Sequence, residues 1–314
     1  MIRVTFVRHG ESVSNAAGRW QGQSDVPLSP RGRDQALHLA RRLRSSHFDV
    51  LLTSDLQRAA DTARALGRPV EVDPELREIH VGAWEGLAKA EVMERYPDDL
   101  AALARGEDIA LGGGERWSDV DARTDRALER LLGRLEPGAH ALVFTHGGWI
   151  RCAFAGALGV RTSSRRPLAS VANTGLGTLR FDDEPQIERY NDATHLLEEP
   201  WSHPHGVWTR WVTAGLSPSD ALISLRAAED STEAAEAGMP DAAGVLRVPA
   251  DLEGLRESHA GTLLERSQGA PSIAKLLCNC FPQGASWLAP PAQSLTVMVA
   301  TTKGVTLGAY AMGP

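Results

Sequence analysis

Three strand-like stretches of this sequence end at polar residues that are costly to bury, and this repetition restricts the fold more than any other feature. The stretches are "IRVTFV" (2–7), "FDVLLTS" (48–54) and "HALVFTHGG" (140–148). The polar residues and glycines at or just after their ends are Arg8, His9 and Gly10 for the first, Ser54 and Arg58 for the second, and His146 and Gly147 for the third. Helix-like sequence follows each stretch, and strands that alternate with helices predict an α/β fold with a mostly parallel sheet. Because ligands bind beyond the carboxyl ends of such strands, we expect these polar residues to share one rim.

The sequence between these stretches continues the alternation up to residue 198. Helices are predicted over "SPRGRDQALHLARRLRSS", with Ser29 as the N-cap, over "DLQRAADTARALG" and over residues 118–135. A short strand is predicted in "PVEVDPEL", and a closing hairpin in "LGTLRF" and "IERYND". We therefore expect an α/β sandwich over residues 1–199.

Residues 200–314 differ in texture and carry no motif of known chemistry. The segment opens with "WSHPHGVWTRW" (201–211), a capped helix is predicted from "SPSD" (217–220), and two strands are predicted around "TKG" within residues 295–310. We expect an α+β extension or small domain of unknown role, which divides the chain into 1–199 and 200–314. Its tryptophans are expected to pack between the domains, with a ligand patch or a subunit interface as the alternative.

Composition makes several classes of protein improbable. The chain is 42% hydrophobic and 23% charged, and its net charge of −7 gives no reason to expect nucleic acid or an anionic membrane as partner. No stretch approaches 18 uninterrupted apolar residues, and "MIRVTFVRHG" lacks a signal-peptide pattern. Three cysteines are too few for a disulfide framework. The expected location is cytoplasmic.

Two histidines and two cysteines of the C-terminal segment raise the question of zinc. They are His203, His205, Cys278 and Cys280. Structural zinc sites usually separate their cysteines by two or more residues, whereas each pair here is separated by one. We therefore expect no metal and reduced cysteines, with Cys152 in the core.

The polar strand ends supply the groups that transfer of a phosphoryl group requires. Arginine forks match phosphate oxygens in bidentate fashion, and a neutral imidazole can attack phosphorus as a nucleophile. A carboxyl group can protonate the leaving alcohol and later take a proton from water. The stretch "LREIHVGAWEG" (76–86) offers Glu78 and Glu85 for that role.

Five of these motifs occur in the order and spacing of a known family. They are "RHGESVSN", "SDVPLSPRGRDQA", "TSDLQRAADTA", "LREIHVGAWEG" and "VFTHGG". Together they resemble the histidine phosphatase superfamily, the phosphoglycerate-mutase-like fold, and "GGGERWSDVDAR" and "NTGLGTLRF" are similar to its later segments. The resemblance covers about residues 1–198 and implies a three-layer α/β/α sandwich.

The resemblance also implies roles for individual residues. His9 would be the nucleophile that becomes phosphohistidine, Arg8, Arg58 and His146 would hold the phosphate, and Glu78 would be the proton donor. Candidates for substrate binding are Ser12, Asn15, Gly10, Glu85 and Gly147. Glu85 is also the main alternative to Glu78, or a residue that supports the site by hydrogen bonding, while Ser12 and Asn15 could simply satisfy a turn. The family works without a metal, and no other cofactor is implied.

A phosphatase and a mutase use the same phosphohistidine, and the segment expected to cover the site helps to choose between them. This lid, residues 87–111, holds three bases against six acids, which suits a phosphoglycerate poorly. "REIHVGAWEGL" also resembles the phosphatase branch. We therefore predict a metal-independent phosphatase for a small phosphomonoester, such as a sugar phosphate or a biosynthetic intermediate. The alternatives are a bisphosphoglycerate-dependent phosphoglycerate mutase and a regulatory or binding protein that uses the same pocket.

Two further details bear on the substrate. The lid carries the apolar residues Leu87, Val92, Met93, Tyr96 and Leu100, which predict a neutral or apolar group attached to the phosphate. Arg116 stands where the phosphatases of the family usually carry serine, and it predicts an extra cation near the entrance. The expected partner is a small phosphorylated substrate, not nucleic acid or a membrane, and a homodimer is a possible assembly.

Overall fold

The part of the chain that contains the predicted site is described almost completely. A computed structural model describes residues 1–159, 168 and 170–196, together with four strand segments, 221–227, 261–265, 295–301 and 304–312. Within these residues no helix is both long enough and apolar enough to cross a membrane.

One sheet contains all ten strands of the described residues. Their bounds are Ile2–Arg8 (β1), Val50–Thr53 (β2), Glu71–Val72 (β3), His140–Thr145 (β4), Leu176–Phe181 (β5), Pro185–Asp192 (β6), Ala221–Ala227 (β7), Gly261–Glu265 (β8), Leu295–Thr301 (β9) and Gly304–Met312 (β10). Their spatial order is β3-β2-β4-β1-β5-β6-β10-β9-β7-β8.

Seven α-helices lie in the described residues. Their bounds are Val13–Ala16 (α1), Pro30–Arg42 (α2), Gln57–Arg64 (α3), Lys89–Arg95 (α4), Pro97–Arg105 (α5), Trp117–Leu132 (α6) and Gly147–Ala157 (α7). The predicted cap of α2 is confirmed, because the Ser29 side chain accepts a hydrogen bond from the Gly32 N–H and Pro30 occupies the first turn.

The direction of the strands gathers their polar ends. β4 is parallel to both β1 and β2, and β2 is parallel to β3. The carboxyl ends of β1, β2 and β4 therefore meet at one edge of the sheet, where His9, Ser54 and His146 follow. β5 pairs antiparallel with β1 and with β6, as the predicted hairpin requires. The α/β class is confirmed, and the sheet is mixed.

Both faces of the central strands are covered, which gives the expected three layers. Phe6 packs with Trp149 and Phe154 of α7 on one face. Val7, the next residue of β1, packs with Leu39 of α2 on the other face. Phe6 and Val7 are both 0% exposed, so β1 is apolar at successive positions and not at alternate ones.

A third apolar cluster lies under α4 and α5 and corrects the prediction for the lid. Val92 is buried there against Trp84, and Leu87, Tyr96 and Leu100 pack on the same cluster. These side chains turn towards the protein, because two short amphipathic helices bury their apolar sides against it. Met93 is 66% exposed to solvent. The apolar lid residues do not line the cavity at the carboxyl ends of β1 and β4, so they do not support the prediction of a neutral or apolar group attached to the phosphate.

The C-terminal strands confirm one prediction and overturn another. β9 and β10 form an antiparallel pair on either side of "TKG", as expected. The helix expected to begin at "SPSD" is wrong, because Ala221–Ala227 is β7, which pairs with β9 and β8. A run of seven mostly apolar residues is compatible with either structure, and strand partners distant in sequence decide it. The tryptophans of "WSHPHGVWTRW" and the four residues considered for zinc lie outside the described residues.

Candidate active site

A cavity of about 480 Å³ opens at the carboxyl ends of β1 and β4. We call its deeper part, with the neighbouring His146, the inner end: Arg8, His9, Arg58, Glu78, His146, Gly147 and Gly148. We call the part nearer to solvent the outer end: Arg19, Trp20, Lys89, Trp117 and Arg151. All of these except His146 line the cavity.

His9 is buried at 2% exposure, and its two partners define its tautomer. The Nδ1 atom lies 2.7 Å from the Gly10 carbonyl oxygen, which can only accept, and Arg58 Nε lies 3.3 Å from Nε2 and can only donate. The proton is therefore assigned to Nδ1, and Nε2 keeps its lone pair. Burial, followed by the charges of Arg58 and Arg8, holds the pKa of His9 well below 6.5. The imidazole is neutral at pH 7, the form that a nucleophile needs.

Arg58 is fully buried yet remains a cation. Its Nη1 donates to the Ser24 carbonyl and its Nη2 to the Gly22 carbonyl, each at 2.8 Å. Burial lowers the pKa of Arg58 to about 10, so the guanidinium is still charged at neutral pH. The loop that contains Gly22 and Ser24 thus fixes a desolvated positive charge beside His9.

Arg8 adds a second guanidinium to the inner end, and His146 adds a second imidazole. Arg8 Nη1 donates to the Val171 carbonyl at 2.5 Å. The His146 ring lies 5.1 Å from the His9 ring, measured between centroids. Burial, followed by the charge of Arg58, keeps the pKa of His146 well below 6.5. Both of its ring nitrogens are buried without a hydrogen-bonding partner among the described residues, a costly state that a bound oxyanion would relieve at the N–H.

Glu78 is the carboxylate that reaches the cavity. Its Oε1 accepts from the Ile79 N–H at 2.9 Å, and its Oε2 accepts from the Gly148 N–H at 3.1 Å. A Cβ at Gly148 would collide with Glu78 Oε1, so a side chain there would displace the carboxylate from this position. The first turn of α7 therefore holds Glu78 in the lining of the cavity, to which His9 also belongs.

Glu85 has a different environment. It accepts from the Gln23 N–H at 2.8 Å and from the Ser24 hydroxyl at 2.5 Å. It is not among the residues that line the cavity. Glu85 instead holds the same loop whose carbonyls orient Arg58.

Of the other predicted substrate-binding residues, some line the cavity and some do not. Asn15 and Gly147 line the cavity. Ser12 is fully buried, caps α1 by accepting from the Asn15 N–H, and donates to Gln21. The Gly10 N–H donates to the Thr62 hydroxyl at 2.9 Å. Ser12 and Gly10 thus support the loop after β1 and do not border the cavity.

Sequence reasoning missed several residues of the site. The Asn173 amide donates to the His9 carbonyl at 3.0 Å, and the Thr174 N–H donates to the Arg8 carbonyl at 3.0 Å. Asn173 belongs to the quoted motif "NTGLGTLRF", so its chemistry was visible although its position beside β1 was not. Arg151 follows Gly147 by four residues, a helical spacing that could have pointed to the same face.

Arg116 is placed differently from the prediction. Its guanidinium donates to the Asp108 carbonyl, and its own N–H donates to Asp119 Oδ2 at 2.8 Å. It does not line the cavity, although its neighbour Trp117 does, so the structure shows no contact of this cation with the cavity. As the residue that precedes α6, Arg116 has its backbone held by Asp119.

Comparison with known proteins places this geometry in a family. The profile of the histidine phosphatase superfamily (branch 1) matches residues 4–193. The chain is 33% identical over 206 residues to the metal-independent phosphoserine phosphatase of Arabidopsis thaliana, covering 62% of this chain and 84% of that protein. It is 31% identical over 207 residues to the probable phosphoglycerate mutase GpmB of an Enterobacter species, covering 62% and 95%.

A solved structure agrees with the fold of the same region. Mycobacterial glucosyl-3-phosphoglycerate phosphatase, in its complex with VO3, matches with a TM-score of 0.56 and 32% sequence identity. The match covers 60% of this chain and 98% of the mycobacterial chain.

Proposed function

The chain belongs to the histidine phosphatase superfamily (branch 1), and we propose that it hydrolyses small phosphomonoesters through a phosphohistidine on His9. One observation carries the proposal. A buried, neutral imidazole keeps its Nε2 lone pair beside Arg58, in a cavity that Arg8 and Glu78 also line. The phosphatases among its relatives support hydrolysis as the reaction.

In the first step the inner end holds the phosphate and His9 attacks it. Arg8, Arg58 and His146 donate hydrogen bonds to the phosphate oxygens and stabilise the charge that they carry in the transition state. His9 Nε2 forms a bond to phosphorus as the bond from phosphorus to the ester oxygen breaks. Glu78, as the carboxylic acid, gives its proton to the leaving oxygen, and the alcohol departs.

In the second step water takes the place of the alcohol. The Glu78 carboxylate accepts a proton from water while the water oxygen forms a bond to phosphorus. The N–P bond breaks, inorganic phosphate leaves, and His9 and Glu78 return to their starting protonation states. The Gly10 carbonyl accepts from His9 Nδ1–H throughout and stabilises the charge that the ring carries in the intermediate.

The remaining predicted residues take no part in the making or breaking of bonds. Asn15 and Gly147 border the substrate, whereas Ser12 and Gly10 shape the loop after β1. Glu85 positions Arg58 through the loop at Gly22 and Ser24, so it is a positioning residue and not the proton donor.

The test is phosphate release from a panel of phosphomonoesters in the presence of EDTA, with the intact chain and with His9→Ala. We expect release that survives EDTA and disappears in His9→Ala. Release that persists in His9→Ala would overturn the proposal. If no ester is hydrolysed, interconversion of phosphoglycerates with bisphosphoglycerate present would identify a mutase, and phosphate binding alone would identify a binding protein.

Three further predictions from the sequence belong with this proposal. We propose that residues 1–199 form the catalytic domain, which the profile match over residues 4–193 supports; expression of that fragment tests it. A cytoplasmic location is tested by cell fractionation, and a homodimer by light scattering of the purified chain.

A further inference from the structure

The turn that precedes β5 holds the backbone at the end of β1, and we call it the supporting loop (residues 171–175). The Thr174 N–H donates to the Arg8 carbonyl at 3.0 Å and to the His9 carbonyl at 3.3 Å. The Asn173 side chain donates to the same His9 carbonyl at 3.0 Å. A shift of this loop would therefore move the nucleophile and one of the arginines that hold the phosphate.

Thr174 has a backbone conformation that is costly for its side chain. Its φ is +56°, in the left-handed region that β-branched residues rarely adopt, and the residue is fully buried. Such a residue keeps its conformation only when the surrounding structure holds it. Within the loop, the Thr174 hydroxyl donates to the Asn173 carbonyl at 2.7 Å. That bond uses the one hydrogen of the hydroxyl, so a further partner has to be a donor.

His195 is this further partner. Its Nε2 atom lies 2.9 Å from Thr174 Oγ1, and because the hydroxyl already donates to Asn173, Nε2 carries the proton. The Nδ1 atom keeps its lone pair and lies 3.3 Å from Arg42 Nη1, which can only donate. The two sides of the ring thus agree on one tautomer, and the donors run in one direction, from Arg42 to the supporting loop.

The surroundings of His195 keep its ring neutral and in place. Burial, followed by the charge of Arg42, lowers the pKa of His195 to about 3, so the ring is uncharged at neutral pH. Arg42 is held in turn by Asp192, whose carboxylate accepts from its two Nη atoms at 3.0 and 2.6 Å. At the other end of the supporting loop, Asn191 Oδ1 accepts from the Ala172 N–H at 2.7 Å. The loop therefore keeps a second attachment when His195 is replaced.

From this arrangement we infer that His195 is a positioning residue, which holds Arg8 and His9 in place through the Thr174 hydroxyl. His195 does not line the cavity, so its effect on the reaction has to pass through the supporting loop. The inference rests on the proposed function, because hydrolysis is its first measure.

Replacement of His195 by leucine tests the inference. His195→Leu keeps an apolar side chain but no donor, so Thr174 should shift, and kcat/KM for phosphate release should fall by about 10- to 100-fold. Alkyl and p-nitrophenyl esters should lose the same factor, because the proton donor Glu78 is untouched. An unchanged kcat/KM would overturn the inference, and so would a loss confined to alkyl esters.

Two polar variants separate the hydrogen bond from the packing of the ring. His195→Gln carries an N–H donor and a C=O acceptor at a similar reach and should recover kcat/KM to within about threefold of wild type. His195→Asn is too short to reach Thr174 and should behave like His195→Leu. Equal losses in the two polar variants would overturn the inference. Their comparison also keeps the test valid if His195→Leu does not fold.

His140→Leu is the matched control. His140 also hydrogen-bonds a threonine, with its Nε2 atom 2.8 Å from Thr5 Oγ1, but it begins β4 and does not line the cavity. We expect a lower melting temperature and a kcat/KM within about twofold of wild type. If His140→Leu lost as much activity as His195→Leu, the loss would report general destabilisation and contradict a positioning role.

A double-mutant cycle tests the route through the hydroxyl. Thr174→Val removes the hydroxyl and keeps the branched shape. Addition of His195→Leu to this variant should change kcat/KM by less than about twofold, because the bond that His195 makes is already lost. If the two losses multiplied instead, His195 would act by another route and the inference would be wrong.

Binding of inorganic phosphate separates failure of this inference from failure of the proposed function. Calorimetry should give about 10-fold weaker binding to His195→Leu than to wild type or His140→Leu, whether or not the intact chain releases phosphate, since Arg8 moves with the supporting loop. Equal phosphate affinities in a chain that hydrolyses esters would overturn the inference and leave the proposed function standing. Weaker binding to His195→Leu in a chain that hydrolyses no ester would do the reverse.

Discussion

The two ends of the cavity are built in different ways. At the inner end, His9, Arg58 and His146 are buried, and backbone carbonyls hold His9 and Arg58. At the outer end, Arg19 and Lys89 are exposed, and helices or loops carry the charged side chains. The orientation of the groups at the inner end is thus fixed by the fold, whereas the groups at the outer end can be exchanged without rebuilding the sheet.

This difference explains why the inner end is costly to assemble. Desolvated guanidinium groups and neutral buried histidines do not stabilise a fold by themselves, so the loop at Gly22 and Ser24 and the amide of Asn173 must hold them. Such preorganised charges act more strongly on a transition state than the same charges in water. The following predictions probe the contrast between the two ends, beginning with the largest expected effect.

Replacement of His9 should abolish the reaction. His9→Ala removes the atom that bonds to phosphorus, and we expect a loss of about 10³-fold or more in kcat, measured as phosphate release. His47→Ala is the control, because His47 is 86% exposed at its side chain and lies outside the cavity. A loss smaller than 10-fold in His9→Ala would mean that another residue is the nucleophile.

The loss of activity on replacement of Glu78 should depend on the leaving group of the ester. Glu78→Gln cannot protonate the leaving oxygen, so kcat/KM, which reports the steps up to departure of the alcohol, should fall by about 10²- to 10⁴-fold for alkyl phosphates. The decrease in kcat/KM should be far smaller for p-nitrophenyl phosphate, because nitrophenolate leaves without a proton. Measurement of kcat/KM on both esters decides the role, and an equal decrease on both would exclude Glu78 as the acid.

Replacement of Glu85 should affect all esters alike. Glu85→Gln weakens the hold on the loop at Gly22 and Ser24, and displacement of Arg58 should lower kcat/KM by about 10- to 100-fold. Because the loss does not involve the leaving oxygen, alkyl and nitrophenyl esters should lose the same factor. If Glu85→Gln showed the leaving-group dependence expected of Glu78→Gln, the two carboxylates would have to exchange roles.

The buried histidines should make the fold less stable in mild acid. Burial lowers the pKa of His195 to about 3 and holds the pKa values of His9 and His146 well below 6.5. Above pH 6.5 the folded and unfolded chains are both neutral at these sites. Below it only the unfolded chain binds the protons, so the free energy of unfolding decreases as pH falls.

Thermal unfolding between pH 7 and pH 5 measures this effect, since most carboxylates stay ionised in that window. The midpoint should fall by a few degrees, and by less in His9→Ala, which has one buried histidine fewer. The exposed variant His47→Ala should follow the wild-type slope. A midpoint that rises towards pH 5 would contradict the depressed pKa values.

Replacement of Arg116 should have the smallest effect. Arg116→Ser removes a guanidinium that bonds to the Asp108 carbonyl and does not line the cavity. We expect kcat/KM for every ester that the chain hydrolyses to stay within about twofold of wild type. A 10-fold loss would place Arg116 at the outer end and require a rearranged lid.

Local sequence specified the inner end well. β1, β2 and β4 were predictable because each is a short apolar run followed by turn or cap residues, and parallel strands bring such ends together. His9, Arg58, Glu78 and His146 were therefore expected at one rim, and the structure brings them together there.

The outer end was not predictable because it depends on which side chains of the lid point into the cavity. The acids of the lid outnumber its bases, but Lys89 lines the cavity while Glu91 binds Ala88 and Arg19. Net charge contains no information about which side of a short helix meets the ligand. The sequence left three roles open for Glu85 for a similar reason, since its bonds reach Gln23 and Ser24, about 60 residues away in sequence.

The pairing of β10 with β6 has a consequence for the behaviour of the chain in solution. Tyr310 lies opposite Tyr190 in that pair, so β6 has a neighbour on each side. The edge strand β3 is protected in another way. It has only two residues, and the ion pair of Glu71 with Arg134 places charge at this edge, which discourages pairing with a further strand. A chain cut after residue 199 would present the N–H and C=O groups of β6 as a template for another copy. Self-association of such a fragment should therefore increase with concentration even if each copy retains its chemistry.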